Sequence, residues 1–424
     1  MRDVDALLEL LCAELRQKTE EGADTFWIAE RVERAVQFDE AMGLYRELST
    51  MRQKRDWPFI EPSAWGDIVQ RKPRNEKPDP NRLPDQMLGA WLGRCAGCMA
   101  GKPVEGWSRR QIAEYIAGAG LDRVEDYLPA ESRKRPKRIP NPYLYCTKGS
   151  FHRAERDDDT DYSVLGLLLL EKHGAKLTTE NVAEGWLTYL PYYQTYTAER
   201  VAYKNIVNDE EDPATFMNPY REWIGARIRV DAYAYAHPGN PARAAELAYK
   251  DATLSHVKNG VYSAMFFAAA IAKAFVTDDI FQILKAGIAV TPKDSRHAAM
   301  VAAVLEWHKQ GLSAQDARDA IDRSFFGQYH WVHAVNNDAI ALIALLWGWP
   351  DFSRCVGLAV EMGLDTDCNA ATVGSILGAS LGASNLPKRW TKPLKDRLAT
   401  GLFGMAELRI SGLADRTLRL VHAR

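Results

Sequence analysis

Glycine recurs every four residues in two separate stretches of this chain: Gly89, Gly93, Gly97 and Gly101, then Gly374, Gly378 and Gly382. A spacing of four stacks residues on one face of a helix. Each glycine costs a helix interior about 1 kcal/mol relative to alanine, so a run in one register must be offset by something else. Close approach of another helix backbone is the natural compensation. In a membrane such a spacing marks a helix–helix seam. Here the first stretch carries Arg94 and Lys102, so the expected setting is a tightly packed soluble core.

The rest of the pattern agrees with helices. Leu165, Leu167, Leu168, Leu169 and Leu170 crowd 159–171, Pro241 to Ala274 reads as two helices, and Ala339–Trp347 and Cys368–Leu381 as two more. Alternating strand patterns are scarce. Val4, Leu7, Leu8, Leu11 and Leu15 recur at helical spacing near the start, and Trp27 to Tyr45 looks similar. Pro58, Pro62, Pro73, Pro78, Pro80 and Pro84 then arrive among charges such as Arg71 and Lys72, a linker composition. The expected fold is all-α: a helical extension and linker over 1–84, then a compact multi-helix domain over 85–424. The basic run Glu131 to Pro142 reads as an exposed loop.

Composition narrows the function classes. A formal net charge of −2 gives no electrostatic case for nucleic acid as the main partner. No run approaches the ~18 apolar residues of a membrane span. Val261 to Val276, broken by Lys273, fits a buried helix. The first residues have no secretory character, and a cytosolic setting is expected. Six cysteines in 424 residues are no disulfide framework, and the pair Cys95 and Cys98 lacks the partners that a zinc or redox reading needs.

Two acidic clusters carry the chemistry. Asp157, Asp158, Asp159 and Asp161 stand before one apolar helix, and Asp365 and Asp367 before another. Helix starts favour aspartate through capping and the macrodipole. Yet adjacent carboxylates repel, so a hard divalent cation is the sharper reading. The absence of histidine from both clusters argues against zinc.

Four motifs then resemble the ADP-ribosylglycohydrolase family, in that family's order over roughly 86–400. They are GRCAGCMAGKPVE (Gly93 to Glu105), DDDT (Asp157 to Thr160), a segment from IGARIR through DATLSH to NG (Ile224 to Gly260), and GLDTDCNAATVGSILGA (Gly363 to Ala379). The resemblance implies an all-α fold with a binuclear centre of magnesium, or alternatively manganese. The implied ligands are Asp158, Asp159, Asp365 and Asp367, with Asp157 and Cys368 at the positions where the family has threonine. Sulfur is a poor magnesium ligand, so the second ion should bind more weakly or use Asn369 or water. Cys98 also replaces the family's usual aspartate. Since no candidate ligand lies in residues 1–84, they should be dispensable for metal binding.

The implied reaction is hydrolysis of the glycosidic bond at ribose C1 of an ADP-ribosylated protein or a small ADP-ribosyl or ribosyl compound. Glu105 and Asp158 are the expected proton-transfer groups. Gly101 and the helix starts are candidates for the diphosphate, Arg229 for the diphosphate or an ion pair, His256 for the nucleotide or a structural bond, and Asn369 for a substrate contact. Tyr233 and Tyr235 read as core or cleft wall, and His333, Asn336 and Asn337 as caps. Two other readings stay open: a metal-dependent phosphoesterase, and a non-catalytic member like those of a lens crystallin lineage.

Overall fold

The computed structural model describes residues 4–69, 73–134 and 136–423; Arg71 and Lys72 of the linker lie outside them. Eight helices frame the molecule: α1 (Val4–Glu20), α2 (Phe26–Arg34), α3 (Phe38–Ser49), α4 (Leu83–Gly101), α5 (Asp158–His173), α6 (Lys258–Ala274), α7 (Ala334–Gly348) and α8 (Thr366–Leu381). Among the described residues the one sheet is a pair of short antiparallel strands, β1 (Arg397–Ala399) and β2 (Glu407–Arg409), so the chain is all-α. No described helix is long and apolar enough to cross a membrane.

The α4–α8 seam is the tightest packing in the molecule. A methyl group on Gly89 would overlap the carbonyl oxygen of Gly378, one on Gly93 that of Gly374, one on Gly97 that of Ala370, and one on Gly101 that of Thr366. The residue sums are constant, so the helices run antiparallel with backbone against backbone. Close packing repays the lost helix propensity. The seam therefore brings the C-terminal end of α4, which leads into Lys102 and Glu105, beside the N-terminal end of α8, which Asp365 immediately precedes.

Helix α6 is apolar around its circumference and buried from Asn259 to Ala274, as such a helix must be. Its one cation within that stretch, Lys273, is neutralised by Glu76 at 2.7 Å. The proline-rich segment runs along the helical domain. Ile60 N donates to Asp294 O, Glu76 N to Gly239 O, and Tyr249 Oη to Ser63 O. Tyr233 and Tyr235, read from irregular spacing, lie in a short helix, Asp231–Tyr235, and are fully buried core residues. The 27–45 stretch is broken at 35–37 into α2 and α3. Arg133, Lys134, Lys137 and Arg138 of the basic run are exposed, with their loop closed by a bridge from Glu131 to Arg138.

Helices α1 to α3 enclose a small core of their own, built on Leu7, Leu11, Ile28, Val32, Leu44 and Leu48. Buried charges tie this unit to the larger domain. Arg221 pairs with Glu14 at 2.7 Å and Glu21 at 2.6 Å. Arg296, wholly buried, pairs with Glu61 at 2.6 Å and Glu222 at 2.7 Å.

Gly93→Ala is expected to lower stability by about 1–3 kcal/mol, since the helices must separate, and to weaken divalent-cation binding with it. Gly43→Ala, in α3 with open space around it, is expected to raise stability by about 0.5–1 kcal/mol. Urea denaturation of the two variants checks both signs; equal and small effects would mean the seam tolerates a methyl group.

Candidate active site

Asp157 and Asp365 begin their helices differently. Asp157 is a true cap of α5: its side chain accepts the Asp159 backbone N–H at 3.0 Å. Asp365 occupies the same position before α8 but makes no side-chain capping bond. It follows Gly363 and Leu364, both at positive φ (74° and 66°), a turn that a leucine adopts only under local constraint. The constraint is visible: Leu364 O accepts from Gly106 N at 3.2 Å, and Asp365 N donates to Asn337 Oδ1 at 3.1 Å. The Asp365 carboxylate is thus aimed inward rather than spent on its helix.

The two clusters converge. Ligand atoms of Asp157, Asp159 and Asp367 lie within 4.8 Å of one another, and so do those of Asp365, Asp367 and Cys368. Asp367 belongs to both groups. They form the floor of a cleft of 420 Å³ that is also lined by Lys102, Glu105, Asp158 and Arg156, a volume suited to a small-molecule site. Two larger cavities, of 590 and 630 Å³, lie against the N-terminal helices and hold no such cluster.

The carboxylates are unequally served. Both oxygens of Asp157 have donors, Asp159 N and the Lys102 ammonium at 2.5 Å. Both oxygens of Asp159 have donors too: Arg94 Nη2 at 2.9 Å and the Cys368 thiol at 3.0 Å. Asp365 Oδ1 and Asp367 Oδ1 are buried without a partner among the described residues. A buried anionic oxygen without a donor is costly. Burial, then the neighbouring Asp157 and Asp159, hold the Asp158 carboxyl well above its usual range. Burial, then Glu105 and Asp157, do the same to Asp367. Glu105 is raised by burial and then by Asp365. Asp157 is the exception: its burial is outweighed by Lys102 and the other donors around it, which hold it low. An all-oxygen group with orphaned acceptors and mutual repulsion fits a hard divalent cation, with Cys368 as its one soft neighbour.

Four residues that the resemblance assigned to substrate do not line the cleft. Arg229 is wholly buried, bonded to Glu199 at 2.8 Å, to Asp251 and to Ser255; its donors are used in holding Glu199 in the cleft wall. His256 is buried and bonded to Ser255 Oγ at 2.8 Å. Asn369 lies behind Asp365, bonded to Arg227 at 2.7 Å and Asn337 at 2.9 Å. Gly101 is pressed against the backbone of Thr366 and Asp367, where it serves the helix seam. His333 caps α7 through Nδ1, as its position suggests. The sequence pattern did not single out Lys102 and Arg94 as cations of the acidic group, although both lie in the glycine-rich stretch. Nor did it reveal the aromatic wall of Tyr143, Tyr196, Trp223, His330 and Trp331, whose members come from distant loops with no shared pattern.

Comparison with known proteins bears on the family and the fold. Residues 79–423 match the ADP-ribosylglycohydrolase family. A stretch of 66 residues is 41% identical to the ADP-ribosylarginine hydrolase Tri1 of Serratia proteamaculans (strain 568), covering 14% of this chain and 18% of that hydrolase. A solved ADP-ribosylglycohydrolase-related protein complex shares the fold with a TM-score of 0.52 at 19% identity, covering 80% of this chain and 99% of the other. With the glycine seam, the convergent carboxylates and the match over 79–423 together, the chain belongs to the ADP-ribosylglycohydrolase family.

Proposed function

We propose that this protein is a divalent-cation-dependent hydrolase of the glycosidic bond at ribose C1 of ADP-ribosyl compounds, with magnesium as the ion and manganese as its substitute. The observation that carries the reading is the pair of orphaned oxygens, Asp365 Oδ1 and Asp367 Oδ1, in a cleft that also presents Glu105 and Asp158. Asp159, Asp365 and Asp367 would hold the cation together with Asp157, whose ligand atom groups with theirs, or with Asp158, which lines the same cleft outside both groups; Cys368 adjoins. When bound, the ion supplies positive charge that keeps these aspartates ionised and Lewis acidity toward ribose and water oxygens.

The chain's own groups account for the rest. Bond cleavage develops positive charge at C1, and the excess of carboxylates around the cleft favours that charge. Glu105, whose burial favours the protonated form, is suited to hold a proton for the departing group. Asp158, which lines the cleft, would accept a proton from the attacking water only once a bound cation offsets the burial and repulsion that otherwise favour its protonated form. Lys102 and Arg94 hold Asp157 and Asp159 in place. The Serratia relative is named for ADP-ribosylarginine, which makes an ADP-ribosylarginine peptide the first substrate to assay. Release of free ADP-ribose, lost on chelation and restored by magnesium, is expected. Release of AMP or phosphate would instead indicate a phosphoesterase, and no turnover with either ion a non-catalytic protein.

Asp367→Asn removes one of the crowded charges. The variant is expected to be more stable than wild type in the absence of metal, by about 1–2 kcal/mol, and to lose the stabilisation that magnesium confers on wild type. Thermal melts with and without magnesium check this; a variant that is less stable without metal would show that the carboxylates do not repel.

Cys368→Thr restores a hard oxygen, and its hydroxyl can take over the 3.0 Å bond to Asp159 Oδ2. Tighter magnesium binding with little change in melting temperature is expected. Calorimetric titration decides: unchanged affinity with a lower melting temperature would make Cys368 a packing residue.

A further inference from the structure

One wall of the cleft is made by two segments that meet edge to edge. Ile224 N donates to Val332 O at 3.0 Å and Ala334 N to Glu222 O at 3.1 Å, with Trp223 bridged to His333. The cleft face of this wall carries Trp223, His330 and Trp331. The His330 ring lies flat on Trp223, with centroids 4.1 Å apart and planes within 8°. Burial, then Arg16, keep the His330 imidazole below its usual range, so it is a neutral, flat surface at pH 7. Trp331 is 38% exposed, a large aromatic left open at the mouth of a buried acidic site. A concave site that offers aromatic faces is built for a flat ring.

The wall is held from two sides: within the family match Asn336 and Asn337 donate to the carbonyls of His330 and Trp331 at 3.0 and 2.8 Å, and a second set of bonds comes from outside it. Both segments are anchored from behind by α1, which lies outside residues 79–423. Glu20, the last residue of α1, accepts the His330 backbone N–H at 2.7 Å and is itself oriented by Arg16 Nε at 2.9 Å. Arg16 also donates to Gln328 O at 3.3 Å. Gln17 Nε2 donates to Glu222 Oε1 at 3.0 Å, one residue before Trp223. Arg296 clamps the same Glu222 and reaches the Glu20 carbonyl at 2.8 Å. The side chain of Glu20 is 6% exposed, so this is an interior bond rather than a surface contact.

We propose that α1 is part of the substrate site, with Glu20 as the positioning residue that fixes the Trp223–His330–Trp331 wall for stacking against the nucleobase of the substrate. The proposal deepens the ADP-ribosyl reading and rests on it for the identity of the ring. Glu20 touches no reacting atom; it acts through the backbone of His330. The metal group is held by the α4–α8 seam, and its link to the wall through Asn337, which donates to Trp331 O and accepts from Asp365 N, does not run through Glu20, so the two roles separate experimentally.

The test uses the full chain with Glu20→Ala and Glu20→Gln, the latter keeping an acceptor for the His330 N–H. Three quantities are measured: ADP-ribose affinity by calorimetry, magnesium affinity, and amide exchange over 222–224 and 328–333. Glu20→Ala is expected to weaken ADP-ribose on the order of tenfold, leave magnesium affinity unchanged and speed exchange in those two segments. Where turnover is measured, KM should rise and kcat should hold. Glu20→Gln should restore near wild-type values. Unchanged exchange in Glu20→Ala overturns the proposal, and so does faster exchange with undiminished ADP-ribose affinity. A wild-type protein that binds no ADP-ribose fails the substrate reading instead, and exchange in the two variants then decides the role of Glu20 by itself. If Glu20→Ala does not fold, Glu20→Gln with Arg16→Ala, which removes the partner that orients Glu20, carries the same comparison.

Discussion

The backbone contact between α4 and α8 is the constraint on which the rest of the molecule depends. Helices usually meet through side chains, at interaxial distances of about 8–10 Å. Here a glycine of α4 stands at every crossing point, so carbonyl oxygens approach the facing chain directly. That closeness has a consequence at the end of the seam. Glu105 and Lys102 leave α4 where Asp365 and Asp367 enter α8, and Gly106 bonds across to Leu364. Segments far apart in sequence are held in one small volume by helices that cannot slide, because each glycine faces its own carbonyl.

Such rigidity is needed because the site is electrostatically unfavourable by itself. Five aspartates and two glutamates crowd a cleft in which burial and mutual repulsion push most of their carboxyls upward. Two built-in cations relieve part of this. Lys102 serves Asp157, and Arg94, wholly buried, binds both the carboxylate and the carbonyl of Asp159. Asp365 and Asp367 are left over. A fold that keeps carboxylate oxygens buried without donors carries strain that a bound cation would relieve, the usual relation between stability and function at such sites. The Asp157 carboxylate is matched by the Lys102 ammonium at 2.5 Å, so this pair leaves no net charge on the floor.

The sequence was legible where physics is local or periodic. The four-residue glycine spacing announces a helix seam, and the helical periods of α5, α6 and α8 can be read to within a few residues. Charge clustering before two helices announces a site. It was not legible where a residue's role depends on what lies opposite. Arg229 and His256 sit in a motif that suggests ligand contact, yet Arg229 spends its donors on Glu199, Asp251 and Ser255, and His256 turns to Ser255. Asp157 and Asp365 look equivalent in sequence, but one caps its helix and the other does not. The proline-rich segment has the composition of a loose linker, yet its Glu61 and Glu76 neutralise Arg296 and Lys273 of the helical domain.

By itself, then, the sequence determined the all-α class, the glycine-paired helices and the five aspartates of the cleft, because helix period, glycine's missing side chain and charge density are properties of short stretches. Only the tertiary structure decided which carboxylates keep open valences, which cations neutralise the others, and which loops supply the aromatic wall. Those outcomes depend on donors and rings brought together from distant positions, such as Lys102 with Asp157 and Glu20 with His330. Long-range pairing of this kind leaves no periodic trace in a chain, since the energy that selects it exists only after the helices have packed.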